Sequence, residues 1–186
     1  LPQDMQEMAA EGVEVIWSPR TNITLYGDTA RVTEYATLGV TIGLGTDWIP
    51  TGSATMLREL ACADEHNQRY LGSFFPDEQL WLMATAHNAE ALGVGDRPGR
   101  LERGFEGDVA IFDGRMHRDH RAVLMATPES VILTLKAGVP MYGDASVVDA
   151  PATGCDALPA RLPAGCSPRF PQPARPPHPR PHLPPP

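Results

Sequence analysis

The segment with the clearest potential for chemistry is an apolar stretch that ends in an acidic residue. Residues 40–44 read as a short hydrophobic strand, Gly45 lies in the turn that follows, and Asp47 comes two residues later. Strands this apolar are typical of parallel sheets, which are buried on both faces. Such sheets carry their reactive groups just beyond the carboxyl ends of their strands. Asp47 is therefore a candidate functional carboxylate, and the alternative is an aspartate that only caps the next helix.

A second strand upstream would place another loop beside Asp47. Residues 13–17 predict a strand, and residues 18–22 predict the loop at its carboxyl end. A helix over residues 28–39 then leads into the strand at residues 40–44. Strand, helix and strand in this order form a βαβ unit, whose crossover brings both strand ends to one edge of the sheet. The two loops are therefore expected to face one another and to line one site.

The predicted secondary structure changes from helices to strands near residue 95. Before this point, the spacing of apolar residues predicts three further helices: one that ends near Gly12, one with Leu60 and Ala61 inward, and one from Pro76 to Gly93. After it, residues 108–113 predict a strand, and residues 131–142 predict a hairpin that turns at Ala137 and Gly138. A helical part with a parallel sheet is thus expected to precede a small β part.

The last part of the chain differs from the rest in composition. Thirteen of the twenty prolines lie in residues 151–186, where four Arg and the single acid Asp156 give a charge of +3. Since the whole chain carries −8, the preceding residues carry −11. Residues 149–186 are therefore predicted to form a disordered, Pro-rich tail, and the abrupt shift raises the hypothesis of a changed reading frame near codon 150. The acidic remainder argues against a nucleic-acid partner.

The sequence lacks the patterns typical of cysteine-based metal sites, disulfide-rich proteins, membrane proteins and secreted proteins. Cys62, Cys155 and Cys166 show no spacing typical of a metal site or a disulfide framework. No apolar run reaches the length that crosses a membrane, and no signal peptide opens the chain. The sequence therefore predicts a cytoplasmic protein with no membrane partner.

Four motifs occur in a fixed order along the chain. They are Ser18-Pro19-x-x-Asn22, Leu44-Gly45-Thr46-Asp47, Thr85-Ala86-His87-Asn88-Ala89 with Leu92-Gly93, and Gly99-x-Leu101-x-x-Gly104-x-x-x-Asp108. In this order and at these spacings they resemble the C-terminal part of the metal-dependent amidohydrolase superfamily. The branch they resemble most includes cytosine and guanine deaminases and the triazine-ring hydrolases. The resemblance covers roughly residues 1–144.

The resemblance implies an α/β fold. Residues 1–95 would be the C-terminal part of a (β/α)8 TIM-type barrel, with its strands seven and eight and the helices that follow. Residues 96–148 would be a portion of a small β-sandwich, and the Gly99–Asp108 motif would only turn the chain from one to the other. Asn88 matches a family position at which a structural hydrogen bond is expected.

The resemblance also implies roles for three site residues. Asp47 matches the carboxylate after strand eight, a ligand of a divalent metal, zinc or iron, that also moves protons as metal-activated water attacks. Asn22 and Trp48 flank the site and become candidate substrate contacts. The alternatives are a turn-stabilising asparagine and a packing tryptophan.

The chain departs from the family pattern in its histidines. A complete barrel needs about 250 residues, and the family's His-x-His motif and later metal-binding histidines have no counterpart here. Four of the six histidines are predicted as follows: His66 on a solvated helix face, His87 packed or hydrogen-bonded, and His117 and His120 in a charged loop. The other two, His178 and His182, lie in the tail. Asp47 alone does not make a metal site, so this chain by itself is expected to be inactive.

Three hypotheses about function remain open. In the first, the chain is the C-terminal portion of a hydrolase that cleaves C–N, or C–halogen, bonds of cyclic amidines, amides or aminated heterocycles. In the second, it is an assembly module that completes a split barrel with a separate N-terminal chain. In the third, it is a fragment without independent activity. The expected partners are a small-molecule substrate and either the missing barrel portion or further copies of the chain.

Overall fold

Two short parallel strands lie at the centre of the first part of the chain. The computed structural model describes residues 2–144 and 146–148, and the backbone of residues 155–157 and 166–168. In its helical part the elements are, in order, α1 (Pro2–Ala10), β1 (Val15–Trp17), α2 (Pro19–Tyr26), α3 (Val32–Thr37), β2 (Ile42–Leu44), α4 (Met56–Tyr70), α5 (Asp77–Met83) and α6 (Ala86–Ala91). Next come β3 (Val109–Phe112), α7 (Asp119–Leu124), the 3₁₀ turn Pro128–Ser130, β4 (Val131–Lys136) and β5 (Val139–Gly143).

The predicted parallel βαβ unit is confirmed. Strands β1 and β2 pair in parallel, with Val15 opposite Ile42 and Trp17 opposite Leu44. Both strands begin two residues later than the sequence predicts. Their carboxyl ends therefore lie side by side, as the sequence predicts.

One apolar core holds the strands against the helices. Trp17, Ile42 and Leu44 are almost completely buried and pack with residues of α3, α4, α5 and α7. The helical members of this core are Val32 of α3 together with Leu60, Ala63, Leu80, Met83 and Leu124. Burying one large apolar side chain stabilises a fold by roughly 1.5–3 kcal/mol. Burial of these side chains therefore holds the strand ends in place relative to the helices.

Four predictions for the helical part are wrong in detail. The helix predicted over residues 28–39 spans only Val32–Thr37. Residues 18–22 do not form a loop, because α2 begins at Pro19, whose fixed φ suits the first position of a helix. The helix predicted from Pro76 to Gly93 is two helices, which are separated at Ala84 and Thr85. Ala61 is exposed, because the inward stripe of α4 runs through Leu60, Ala63 and Asn67.

The β part is a three-stranded antiparallel sheet in the order β3-β4-β5. The predicted hairpin turn is confirmed: Ala137 and Gly138 both have positive φ, as a two-residue turn of type I′ requires. Asp108, the last residue of the fourth motif, accepts a hydrogen bond from the backbone N–H of Ala137 at 2.8 Å. This contact supports a structural role for the fourth motif, while the β-sandwich stays a prediction.

Helix α7 has no counterpart among the predictions. His120 lies on this helix, with its ring 4.8 Å from that of Trp81, so the charged loop predicted for His117 and His120 is confirmed for His117 and wrong for His120. Arg121 binds two carboxylates on different helices, Asp64 of α4 at 2.7 Å and Asp77 of α5. Hydrogen bonding to Asp77, together with that to Asp64, raises the pKa of the Arg121 guanidinium. These bonds attach α7 to the helical part.

Two short strands lie within the predicted tail. Strands β6 (Cys155–Ala157) and β7 (Cys166–Pro168) pair antiparallel, with Cys155 opposite Pro168. The predicted disorder of residues 149–186 otherwise falls outside the described residues. Among the residues that the structure does describe, no helix has both the length and the apolar character needed to cross a membrane.

Candidate functional site

The candidate site lies where the two parallel strands end. Beyond β2 the chain forms the site loop, residues 45–53, and beyond β1 it enters α2 directly. Gly45 donates its N–H to the carbonyl of Trp17 at 2.8 Å and so extends the ladder by one residue. The hydroxyls of Thr21 and Thr51 lie 3.4 Å apart. The prediction that the segments after the two strands face one another is confirmed, with α2 in place of the first loop.

Gly52 allows the site loop to approach α2 closely. A Cβ atom at this position would lie 2.0 Å from the carbonyl oxygen of Thr46 and 2.8 Å from the hydroxyl of Thr21. Neither distance is compatible with a side chain. The loop is closed by bonds from the N–H of Ser53 to Thr46 O at 3.0 Å and from that of Gly52 to Trp48 O at 2.7 Å.

Asp47 occupies an unusual backbone conformation at the tip of this loop. Its φ is +53°, a left-handed value that Asp tolerates better than most other residues with a side chain. The Asp47 Oδ1 atom accepts the backbone N–H of Trp48 at 2.8 Å, and the residue is exposed. Backbone strain of this kind clusters at functional sites. The loop therefore presents an oriented carboxylate at the carboxyl edge of the sheet.

Asn22 lies in the first turns of α2 and is half-buried. Its side-chain oxygen accepts a hydrogen bond from the hydroxyl of Thr29 at 3.2 Å, and that hydroxyl accepts the indole N–H of Trp17 at 2.7 Å. The chain of bonds connects Asn22 to the core. These bonds hold the side-chain oxygen of Asn22 in place. They also mean that Asn22 stabilises the segment around Thr29, which follows α2.

Trp48 follows Asp47 in the site loop and is 66 % exposed. A tryptophan that contributes to a core is mostly buried, as Trp17 is here with 0 % exposure. Trp48 is therefore not part of the core of this chain, and its ring is open to another molecule.

A buried carboxylate that the sequence analysis did not identify holds Arg20 of α2, and Arg20 in turn contacts the site loop. Glu59 of α4 accepts the backbone N–H of Arg20 at 3.0 Å, and the Arg20 Nε atom donates to the hydroxyl of Ser53 at 2.9 Å. Its position in the sequence could have indicated this burial, because Glu59 lies next to Leu60 and one turn before Ala63 on the inward stripe of α4. An acidic residue in an apolar stripe calls for a specific partner, because an unpaired buried charge is costly.

The third motif holds the second strand. The Asn88 side-chain N–H₂ donates to Leu44 O at 2.8 Å, which confirms the predicted structural hydrogen bond. The His87 Nδ1 atom lies 3.1 Å from Ile42 O. Because a carbonyl can only accept, this nitrogen carries the proton. His87 is thus hydrogen-bonded, as predicted. Both residues of α6 bind backbone carbonyl groups of β2.

His66 is not on a solvated face, contrary to the prediction. Its ring lies 6.0 Å from that of Trp17 in an edge-on arrangement and 5.1 Å from that of Tyr70. Its Nδ1 atom is buried and has no hydrogen-bond partner among the described residues. Burial lowers the pKa of His66, and the negative charge of Asp28 partly opposes this effect. The reason for the error is that the ring of Trp17, from β1, packs against this side of α4.

The donor set for a metal is incomplete in this part of the chain. No group of three or more His, Cys, Asp or Glu side chains that could hold a metal ion occurs within the described residues. A zinc ion in a protein has about four ligands, and Asp47 would supply one of them. The described residues therefore do not form a metal site by themselves.

The geometry defines a class of protein. Parallel strands joined by a crossover, with a carboxylate at the carboxyl end of the second, are the arrangement of α/β enzymes whose chemistry takes place at that edge of the sheet. The family model described as "Amidohydrolase family" matches residues 2–141. The chain belongs to the amidohydrolase family.

Proteins of similar sequence bear deaminase names. The chain is 31 % identical over 114 residues to a 5-methylthioadenosine/S-adenosylhomocysteine deaminase of Desulforamulus reducens. It is 33 % identical over 116 residues to the protein of the same name from Syntrophobacter fumaroxidans. The matches cover 60 % and 61 % of this chain and 26 % of each relative. The matched region thus corresponds to about a quarter of the length of these relatives.

Several solved structures share the fold of this chain. An adenosine deaminase from Xanthomonas campestris with bound zinc superposes with a TM-score of 0.67 at 24 % identity, over 75 % of this chain and 34 % of that one. Guanine deaminase from E. coli gives a TM-score of 0.65 at 19 % identity, over 77 % and 36 %. An atrazine chlorohydrolase from Arthrobacter aurescens complexed with zinc gives 0.64 at 23 %, over 76 % and 34 %. The mixed α/β fold of the chain is therefore that of one part of these hydrolases.

Proposed function

We propose that the chain is the C-terminal portion of a hydrolase that cleaves non-peptide C–N bonds in cyclic amidines, amides or aminated heterocycles. In this proposal residues 1–95 contribute the last two strands of a (β/α)8 barrel, and residues 96–148 contribute part of a β-sandwich. The observation that carries it is Asp47, held in a left-handed conformation at the carboxyl end of β2 in a chain of the amidohydrolase family. Aminated heterocycles are favoured, because the relatives include proteins named as deaminases.

The face of β1 opposite the core is exposed at Ile16, and this favours the proposal that further strands complete a barrel. Side chains alternate between the two faces of a strand, so Ile16 points away from the core that contains Trp17. Ile16 is 49 % exposed, and a Cβ on Gly43 would lie 2.7 Å from its Cδ1 atom, which places both residues on one face. Parallel sheets are normally covered on both faces. Further strands of a barrel would cover this face.

Asp47 is proposed to carry the proton of the reaction. Its Oδ1 atom is engaged by the N–H of Trp48, which leaves Oδ2 to accept a proton from the attacking water and to return it to the leaving nitrogen. Asp47 is also assigned as one ligand of a divalent metal, zinc or iron. The remaining ligands would come from residues outside the described part of the chain.

Asn22 and Trp48 are proposed to bind the substrate. With its oxygen held by Thr29, the Asn22 side chain presents its N–H₂ group, which would donate to an acceptor on the heterocycle. The exposed indole of Trp48 offers an aromatic surface to a planar ring. These contacts would select the substrate, whereas Asp47 would act on the bond.

Two arrangements would complete the proposed barrel. The rest of the barrel belongs either to the same polypeptide or to a separate chain on which this one docks as an assembly module. A chain on its own would be a fragment without activity, since one candidate ligand does not hold a metal. Cytoplasmic location and self-association stay predictions.

A turnover assay on the completed barrel tests the proposed function. The chain is joined to, or mixed with, the residues that supply the other strands, and ammonia release is measured with adenosine derivatives, guanine and aminated triazines. We expect turnover that a chelator abolishes and that zinc or iron restores, and no turnover by the 186-residue chain alone. A completed, metal-loaded barrel that hydrolyses none of these C–N bonds would contradict the proposal.

A further inference from the structure

Glu59 is the most deeply buried carboxylate in the described part of the chain, with a side chain that is 0 % exposed. Its Oε1 atom accepts the Arg20 N–H, one of the free N–H groups at the start of α2. Its Oε2 atom lies 4.0 Å from Arg20 Nε and has no hydrogen-bond partner among the described residues. A buried oxygen left in this way lowers stability, so its retention calls for a reason.

Arg20 extends the contact from Glu59 to the site loop. Its Nε atom donates to the hydroxyl of Ser53, which is 1 % exposed, and its Nη2 atom donates to Arg58 O at 3.3 Å. Ser53 in turn donates its N–H to the carbonyl of Thr46, the residue before Asp47. One buried cluster of Glu59, Arg20 and Ser53 thus joins α4, α2 and the site loop.

We propose that Glu59 is a positioning residue that sets the distance between α2 and the site loop, and thereby the distance between Asn22 and Asp47. Among the described residues, the Glu59 side chain pairs only with Arg20, which precedes Asn22 by two positions. Arg20 in turn bonds to Ser53, whose N–H donates to Thr46, the residue before Asp47. A misplacement of about 1 Å can reduce an enzymatic rate by about 10²-fold. This inference rests on the proposed function for its catalytic consequence, but the geometry of the cluster can be tested without turnover.

Asp64 provides a matched control. It lies on the same helix as Glu59 and is also buried, but its partners are Arg121 and Gln68, whereas the partner of Glu59 is Arg20. Loss of either carboxylate should lower stability. Only loss of Glu59 should change the site loop.

The direct test is amide hydrogen exchange measured by NMR on the full 186-residue chain. Glu59→Leu removes the acceptor and keeps the volume, whereas Glu59→Gln keeps an acceptor for the Arg20 N–H. We expect the Arg20 and Ser53 amides to exchange roughly tenfold faster in Glu59→Leu, with a smaller change in Glu59→Gln. The indole signal of Trp48 should shift in Glu59→Leu, and Asp64→Asn should leave all three signals unchanged.

Several results would overturn the proposal. Unchanged Arg20 and Ser53 exchange in a folded Glu59→Leu chain is one, and equal effects of Asp64→Asn are another. If Glu59→Leu does not fold, Ser53→Ala breaks the same cluster at the loop. An unchanged Trp48 signal in Ser53→Ala would then reject the positioning role.

The catalytic consequence is measured in the completed barrel. We expect Glu59→Leu to lower kcat/KM by roughly ten- to a hundredfold at unchanged metal content, with Glu59→Gln in between. Asp64→Asn should lower the Tm and leave kcat and KM unchanged. Absence of turnover in the wild type would reject the proposed function, whereas normal turnover by Glu59→Leu would reject only the role of Glu59.

Discussion

At the scale of single residues, Asn88 illustrates how a side chain can take the place of a strand. It donates to Leu44 O at the edge of β2 that is not paired with β1, and its Oδ1 atom would lie 2.2 Å from a Cβ on Gly43. Asn88 and Gly43 are therefore fitted to one another. The motif around Asn88 predicts a structural hydrogen bond, but its partner in the chain is 44 residues away and lies beyond any local pattern.

The fit between Asn88 and Gly43 predicts a non-additive pair of substitutions. Gly43→Ala should destabilise the chain, because its Cβ collides with the Asn88 side chain, and Asn88→Ala should cost about 1–3 kcal/mol through the unpaired carbonyl. The double variant should be more stable than the sum of the two effects predicts, since Asn88→Ala removes the nearer of the two obstacles and leaves only the flexible end of Ile16 at 2.7 Å. Denaturant unfolding of the four proteins measures this coupling. Simple additivity would show that the two residues do not touch.

His66 predicts a dependence of stability on pH. Burial lowers its pKa from the ordinary value of 6.5, so the folded chain binds a proton less readily than the unfolded chain. The stability that neutral His66 contributes is complete above pH 6.5 and is lost as the pH falls toward the lowered pKa. His66→Phe keeps a ring against Trp17 and removes the titration.

Unfolding free energies of wild type and His66→Phe, measured on both sides of the ordinary pKa, test this prediction. The wild type should lose more stability than the variant as the solution becomes acidic. The carboxylates of the chain are common to both proteins, so the difference isolates His66. Parallel pH profiles would mean that His66 is solvated after all.

At the scale of elements, regular spacing decided which ones could be predicted. The parallel strands and the hairpin were predictable, because alternation, apolar runs and a turn at Ala137 and Gly138 are local signals. Helix α2 was not, because Ser18-Pro19 reads equally as a loop and as the start of a helix. Helix α7 is six residues long, and Arg121 attaches it to residues 44 and 57 positions away. Its position depends on those distant carboxylates.

The attachment of α7 predicts unequal effects of two arginine substitutions. Arg121→Ala leaves Asp64, which is 7 % exposed, without its cation and should cost roughly 3–5 kcal/mol. Arg115→Ala is the matched control, since Arg115 also pairs with an aspartate, Asp113, but is 88 % exposed. Its loss should change stability by less than about 1 kcal/mol. Equal shifts in denaturation midpoint would show that α7 is not held by Arg121.

At the scale of the whole molecule, the candidate site is an edge that this chain supplies in part. The order of the four motifs was sufficient to indicate the family, because it does not depend on how side chains pack. The cluster of Glu59, Arg20 and Ser53 could not be predicted, since it joins three elements that are distant in sequence. The exposed face around Ile16 and the single candidate metal ligand among the described residues are the observations behind the proposal of further strands. In that proposal the activity belongs to a completed barrel.

The proposed role of Asp47 is tested most directly by the turnover rate of the completed barrel that carries Asp47→Asn. The metal content is restored by excess metal and verified by elemental analysis. Asn keeps the size and one oxygen of the side chain but cannot accept the proton, so the rate should fall by roughly two to four orders of magnitude. Asp28→Asn is the control, because Asp28 is also exposed and also accepts the N–H of the next residue at 2.8 Å. It should retain the wild-type rate. Near-normal turnover by fully metal-loaded Asp47→Asn would contradict the role assigned to Asp47.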